Sequence, residues 1–370
     1  MKTFHCTNCQ SLVFFENVLC LNCEHALAYL PDQEEIAAIE IGTDGLSRPV
    51  GADSPQAVYR LCGNRQQHVC NWTLDAAKTD TLCESCRLTR VIPNLGKPGN
   101  QDAWFKLELA KRRTIYTVQA LNLPVISKSV DPVGGLAFEF LEDTTDGDTT
   151  RVLTGHDDGL ITVNIAEADD VYRERQRARQ HEPYRTLVGH FRHELGHYYW
   201  ERLIKDGPRL QAYRALFGDE RADYARAVEQ HYQAGAPEQW QEHFISAYAA
   251  MHPWEDWAES WAHFLHMVDA LETASGAGLT LTPRRADQPA MLVPADPLHD
   301  KRPDFGQMIA SWIPLTYVLN NLNRGLGLAD AYPFVLSPPV IEKLAFIHQT
   351  ILDAQSLIAG KASHGNPKVR

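Results

Sequence analysis

All eight cysteines of this 370-residue chain fall between positions 6 and 86. Four form the pairs Cys6-x2-Cys9 and Cys20-x2-Cys23; the others are Cys62, Cys70 and the pair Cys83-x2-Cys86. In a C-x2-C turn two thiolates converge on one ion, and backbone N–H groups donate to the sulfurs and spread their charge. Two such pairs complete a tetrahedral four-sulfur shell, which suits zinc and also admits iron. A disulfide scaffold would need an oxidising compartment. The opening MKTFHCTNCQ has no apolar core followed by a small-residue cleavage site, so a cytoplasmic protein is expected. The first set brackets a strand-like run, LVFFENV, and reads as a compact ribbon. The second set is less regular, and His68 is a candidate ligand in place of Cys70. Interleaving, with Cys6 and Cys9 sharing an ion with Cys83 and Cys86, is an alternative. Sequential pairing closes shorter loops and costs less entropy, and is the arrangement expected. Either way these are closed structural sites without an exchangeable position.

Charged residues make up 22% of the chain and hydrophobic ones 44%, the balance of a folded globular protein. A formal charge of −12 with no dense Lys/Arg block argues against a phosphate-tracking surface, so nucleic acid is not an expected partner. The longest apolar runs, such as SWIPLTYVL (311–319), fall short of the ~20 residues that span a bilayer, so no membrane association is expected. Residues 1–92 form the cysteine-rich region, with IGTDGLSRPVGADSP read as a polar linker between its halves. PNLGKPGNQ (93–101) marks a boundary, a second domain covers 93–360, and 361–370 is expected to be a flexible tail. Helical periodicity covers 103–123, and LAFEFL, TRVLTG and GLITVNIAEAD suggest a small sheet. Beyond 170 the pattern is nearly all helix, with candidates at 170–181, 184–204, 208–216, 219–233, 237–250, 254–273, 303–323 and 338–359. Segment 274–302 reads as a long loop. The fold class is therefore α+β, a mostly helical domain with a small sheet behind a ribbon module.

In FRHELGHYYW (191–200), helical spacing puts His193 and His197 on one face, where both imidazoles can reach one ion. Glu194 lies one step round, beside the place of a water on that ion. Two histidines leave zinc one ligand short of the three usual in a catalytic site, and no cysteine follows Cys86. A third histidine in the extended motif is excluded, because Trp200 and Leu203 occupy the places it would need. SAYAAMHPWEDWAESWAHFLHM (246–267) offers carboxylates four apart, Glu255 and Glu259, on a face shared with His252. Glu255 is the expected ligand, with Glu259 accepting the ring N–H of a ligating histidine. Tyr248, on the end of the preceding helix, can steady a developing oxyanion. Trp254, Trp257 and Trp261 read as packing aromatics that shield the site, and His263 and His266 as core or surface residues.

HELGH with a downstream E-x-x-x-E helix resembles the gluzincin class of zinc metallopeptidases. The arrangement of Tyr248, Glu255 and Glu259 is similar to that in the catalytic domain of anthrax lethal factor. Closer still is a bacterial family of zinc-binding metallopeptidases with an N-terminal zinc ribbon. That likeness is carried by FHCTNCQ, FKLELAKRR, GLITVNIAEAD, PYRTLVGHFRHELGHYYW and YAAMHPWEDWAESWAHFLH, and covers nearly the whole chain. It implies a zincin fold in which His193, His197 and Glu255 hold zinc, Glu194 is the base, Tyr248 assists the oxyanion and Glu259 stands behind a ligand. The second carboxylate is a glutamate where aspartate is commoner, which leaves the order of Glu255 and Glu259 open to reversal.

The expected activity is zinc-dependent hydrolysis of peptide bonds, with one catalytic and two structural zinc ions. Glu194 assists the attack of zinc-bound water on a peptide or protein substrate. Endopeptidase action is favoured because no group stands out as a clamp for a chain terminus. GLITVNI (159–165) is the candidate edge strand for an extended substrate. The alternative is a zinc-ribbon adaptor or regulator that binds a protein partner and whose peptidase-like domain is inactive or tightly restricted.

Overall fold

The computed structural model describes residues 2–51, 57–144, 151–180, 186–299 and 304–364. Two compact units emerge: residues 1–116, 126–155 and 160–169 form the first, and 117–125, 156–159 and 170–370 the second.

The first unit begins with β1 (Phe4–His5) paired antiparallel to β2 (Leu12–Val13). Each of the first two cysteine pairs sits in the same turn. Gln10 N–H donates to Cys6 O and Glu24 N–H to Cys20 O, at 2.8 and 2.9 Å. Gln10 and Glu24, each just after the second cysteine, are left-handed at φ 60° and 59°. Five antiparallel strands follow: β3 (Ala26–Leu30), β4 (Glu35–Ile41), β5 (Ser47–Val50), β6 (Tyr59–Leu61) and β7 (Thr73–Asp75). A parallel bridge between Tyr29 and Trp72 brings β7 back beside β3, so the sheet curls toward closure. Phe15, Tyr29, Trp72 and Tyr116 fill its interior, with Tyr29–Trp72 and Phe15–Tyr29 ring centroids 4.8 and 5.3 Å apart. The expected linker IGTDGLSRPVGADSP is thus largely the β4–β5 hairpin; residues 52–55 of it lie outside the described residues. Its Gly, Asp and Pro residues mark the turn and a short strand, and not a domain boundary.

Beyond β8 (Thr89–Val91) comes the long helix α1 (Asn100–Ala120), then β9 (Ala137–Leu141), β10 (Gly155–Asp157) and β11 (Leu160–Asn164). β9 pairs in parallel with both β8 and β11. The sheet order β10-β11-β9-β8 makes β11 an interior strand, so it is not the free edge expected for substrate pairing. The candidate strand TRVLTG is irregular over 151–154, and Thr150 lies outside the described residues.

The second unit is helical: α2 (Asp170–Gln180), α3 (Leu187–Leu203), α4 (Leu210–Phe217), α5 (Tyr224–Ala234), α6 (Pro253–Gly276), α7 (Phe305–Gly325) and α8 (Pro338–His364). α8 carries on through the first four residues of the expected tail; 365–370 lie outside the described residues. The helix expected over 237–250 does not form. Two short 3-10 turns, Trp240–Glu242 and Ala249–Met251, take its place. Gln239 is left-handed at φ 60°, and Ser246 Oγ accepts from Ala249 N–H at 3.0 Å, a local bond that competes with the helical ladder. Among the described residues no helix is long and apolar enough to cross a membrane.

Candidate metal centre

α3 starts at Thr186, whose hydroxyl accepts from Gly189 N–H at 3.0 Å, and buries most of its length against α6. The close approach depends on Gly196. A Cβ there would meet Ala258 Cα at 2.9 Å and Trp261 Cβ at 3.2 Å. Trp257 Nε1 donates to Gly196 O at 2.8 Å, so the same point is also pinned by a hydrogen bond. Pro253 opens α6, and His252 caps it: Nδ1 accepts from Trp254 N–H at 3.1 Å while Nε2 donates to Ala222 O at 3.1 Å. His252 is therefore used up at the helix terminus and does not join Glu255 and Glu259 beside the imidazoles of α3.

The crossing brings His193, His197 and Glu255 together. His193 Nε2 and His197 Nε2 lie 3.2 Å apart, and Glu255 Oε2 is 3.0 Å from the first and 3.5 Å from the second. Ligand bonds of about 2.0 Å in tetrahedral geometry place donor atoms about 3.3 Å apart, which matches this triangle. Proton bookkeeping gives the same reading. His193 Nδ1 lies 2.7 Å from Glu259 Oε1, the geometry of a ring N–H donating to a carboxylate. The Nε2 of a neutral imidazole is then a bare lone pair. It faces a second imidazole nitrogen and the buried Glu255 Oε2, which has no hydrogen-bond donor among the described residues. A cation satisfies all three; without one, lone pairs converge in a dry pocket.

Around the triangle, Glu259 takes a second bond from Ser246 Oγ at 2.7 Å, and Tyr224 O–H donates to Glu255 Oε1 at 2.9 Å. Trp254 covers His197 with ring centroids 3.8 Å apart, and the Tyr248 ring lies 5.9 Å from that of His193. Burial pushes the Glu194 carboxyl above its ordinary range; the two histidines oppose that shift and Glu255 and Glu259 add to it. For Glu255 burial also pushes upward, but the neighbouring His197 and His193 outweigh it and hold the group well below the carboxylate range. Trp257 and Trp261 are core residues. His263 bonds to the Tyr332 hydroxyl at 2.9 Å, and His266 accepts from Arg192 at 2.5 Å, so both are structural.

Sequence reasoning passed over Tyr224 and Ser246. Ser246 opens the segment that carries Glu255, but a serine before a helix more often caps than supports. Tyr224 lies in another helix, with no spacing that links it to the motif.

Both cysteine groups close in sequential order, Cys6/Cys9/Cys20/Cys23 and Cys62/Cys70/Cys83/Cys86. Cys6–Cys23, Cys9–Cys20 and Cys70–Cys83 sulfurs stand 3.6, 3.6 and 3.7 Å apart. Zinc–sulfur bonds of about 2.3 Å put tetrahedral sulfurs about 3.8 Å apart, whereas a disulfide would need about 2.0 Å. Cys70, not His68, completes the second group. Its sulfurs accept N–H groups as well, Trp72 to Cys70, Cys83 to Cys62 and Cys86 to Cys83, each at 3.4 Å.

Comparison with known proteins agrees with both halves. A zinc-ribbon domain model matches residues 3–97, and a model described as "Putative zinc-binding metallo-peptidase" matches residues 100–350. An uncharacterized protein of Mycobacterium tuberculosis (strain ATCC 25618 / H37Rv) is 42% identical over 354 residues, 95% of this chain and 96% of its own length. One of Mycobacterium bovis (strain ATCC BAA-935 / AF2122/97) has the same identity and coverage. No solved structure matches the chain. Two four-cysteine clusters, a two-histidine, one-carboxylate triangle and a family match over residues 100–350 converge: the chain belongs to the family described as "Putative zinc-binding metallo-peptidase", with an N-terminal zinc-ribbon domain.

Proposed function

We propose that the chain is a zinc-dependent endopeptidase with a gluzincin-type site and a zincin fold. His193, His197 and Glu255 hold the catalytic ion, and the two cysteine clusters hold structural ones. The observation that carries this reading is Glu255 Oε2, buried without a donor among the described residues and aimed at two imidazole nitrogens 3.0 and 3.5 Å away. When bound, zinc supplies Lewis acidity, which makes water acidic near neutral pH and polarises a carbonyl.

The protein's own groups do the rest. Glu259 holds the Nδ1 proton of His193, which keeps the Nε2 lone pair directed at the ion. The Glu194 carboxylate accepts a proton from the attacking water and returns it to the leaving nitrogen; its burial makes it a stronger base than an exposed glutamate. The Tyr248 O–H donates to the oxyanion as the carbonyl carbon becomes tetrahedral. Trp254 over His197 keeps bulk water off one side of the site.

Turnover of a peptide library by the zinc-loaded protein tests the assignment. Glu194→Gln is expected to lose at least ~10²-fold in rate with zinc content unchanged. An unaltered rate at equal zinc would remove Glu194 from the role. No cleavage of any peptide by the native protein, at full zinc content, would favour the adaptor reading.

A further inference from the structure

The two oxygens of Glu255 are in different hands. Oε2 faces the imidazoles, and Oε1 accepts from the Tyr224 hydroxyl at 2.9 Å. We infer that Tyr224 is a positioning residue for the metal: its phenol O–H pins Oε1 so that Glu255 presents one oxygen, and not two, to the ion. The inference rests on the reading of His193, His197 and Glu255 as an ion site.

Tyr224 is the first residue of α5, just after the Asp223 cap, whose side chain accepts from Arg226 N–H at 3.1 Å. No residue of α5 is buried, so the tyrosine is not there to supply that helix with a core. Its ring instead stands edge-on to His252 and Trp254, with centroids 5.3 and 5.9 Å away, against the two residues that bracket the start of α6. Glu255 is the next residue along. The phenol is thus placed by the same helix terminus that places the ligand, and its hydroxyl reaches an oxygen that is otherwise sealed from water.

The chemical consequence concerns coordination number. A glutamate free to rotate can chelate through both oxygens and take up a position on the ion. A catalytic zinc needs that position for water and the substrate carbonyl. A hydrogen bond to Oε1 opposes the rotation, and the low dielectric of the buried site strengthens it. Tyrosine is suited to this task because its ring is rigid and its hydroxyl stands at the end of it, 2.9 Å from Oε1.

Tyr224→Phe keeps the ring and removes only the hydroxyl. Zinc affinity is measured by competition with a chromophoric chelator, with zinc as the sole added ligand and the two cysteine-bound ions as internal standards. The variant is expected to bind the third ion about tenfold more weakly and the other two unchanged. Cobalt placed in the third site, with zinc left in the cysteine clusters, supplies a signature that mere packing would not move. Its visible absorption is expected to weaken in the variant as a five-coordinate form gains on the four-coordinate one. Unchanged affinity together with an unchanged cobalt spectrum would overturn the role of Tyr224. Failure of the underlying reading looks different. In that case the native protein binds two ions, or His193→Ala binds as many as the native protein.

Discussion

At the scale of single residues the site is an exercise in where protons are. His193 can bind an ion only if its proton sits on Nδ1, and Glu259 at 2.7 Å keeps it there. Glu255 can bind only as a carboxylate. These roles separate in their effects. Glu255→Gln is expected to weaken zinc binding more than tenfold and further than Glu259→Gln does, as measured by metal analysis after dialysis against a weak chelator. The reverse order would exchange their roles. The His193/His197 pair was legible because four-residue spacing has one geometric meaning on a helix. His252 was misjudged because the same helical-face argument ignored capping, where an imidazole before a proline serves the helix end. Tyr224 could not be found, since its contact depends on how α5 is laid against α6 and no local period records that.

At the scale of elements the crossing of α3 and α6 decides whether His193, His197 and Glu255 meet. Gly196 sets the spacing, and its absent Cβ is the room that Ala258 fills. Gly196→Ala puts a methyl 2.9 Å from a backbone carbon, which cannot move as a side chain can. A loss of about 1–3 kcal/mol is expected from denaturant unfolding, with weakened zinc binding at the same time, because the helices must part. Stability equal to the native protein would show that the contact is slack. Long amphipathic helices were readable in outline, α3 and α6 within a few residues. The curled sheet of β3 to β7 was not. Its strands β5 and β6 have four and three residues, too short for alternation to show above turn chemistry. Segment 237–250 shows the opposite error. Its composition is compatible with helix, but a serine that spends its hydroxyl on a local backbone bond and on Glu259 overrides propensity.

At the scale of the whole molecule, acid sensitivity is written into the buried ion pairs. Arg192 on α3 binds Asp269 on α6 and donates to His266 Nδ1, and Thr117 donates to Asp269 at 2.7 Å. Burial and then the Arg192 charge drive His266 well below its ordinary pKa. For Asp269 burial pushes upward, but Arg192 outweighs it and the pKa is lowered. Each group therefore binds a proton more readily in the unfolded chain, so stability falls as pH falls. His266 acts first, from about pH 6.5 downward, and Asp269 joins below about pH 4. Melting temperature is expected to fall between pH 7 and pH 5, and to fall less in His266→Gln; equal slopes would remove His266 from the cause. Both cysteine sets close within short stretches of chain, whereas the third site draws ligands from positions 193 to 255. During synthesis the ribosome therefore releases two complete metal-binding segments before it has made the first imidazole of the third site. Ion capture can proceed in the order of translation, with the ion of the histidine–glutamate site last, when α6 has emerged to meet α3.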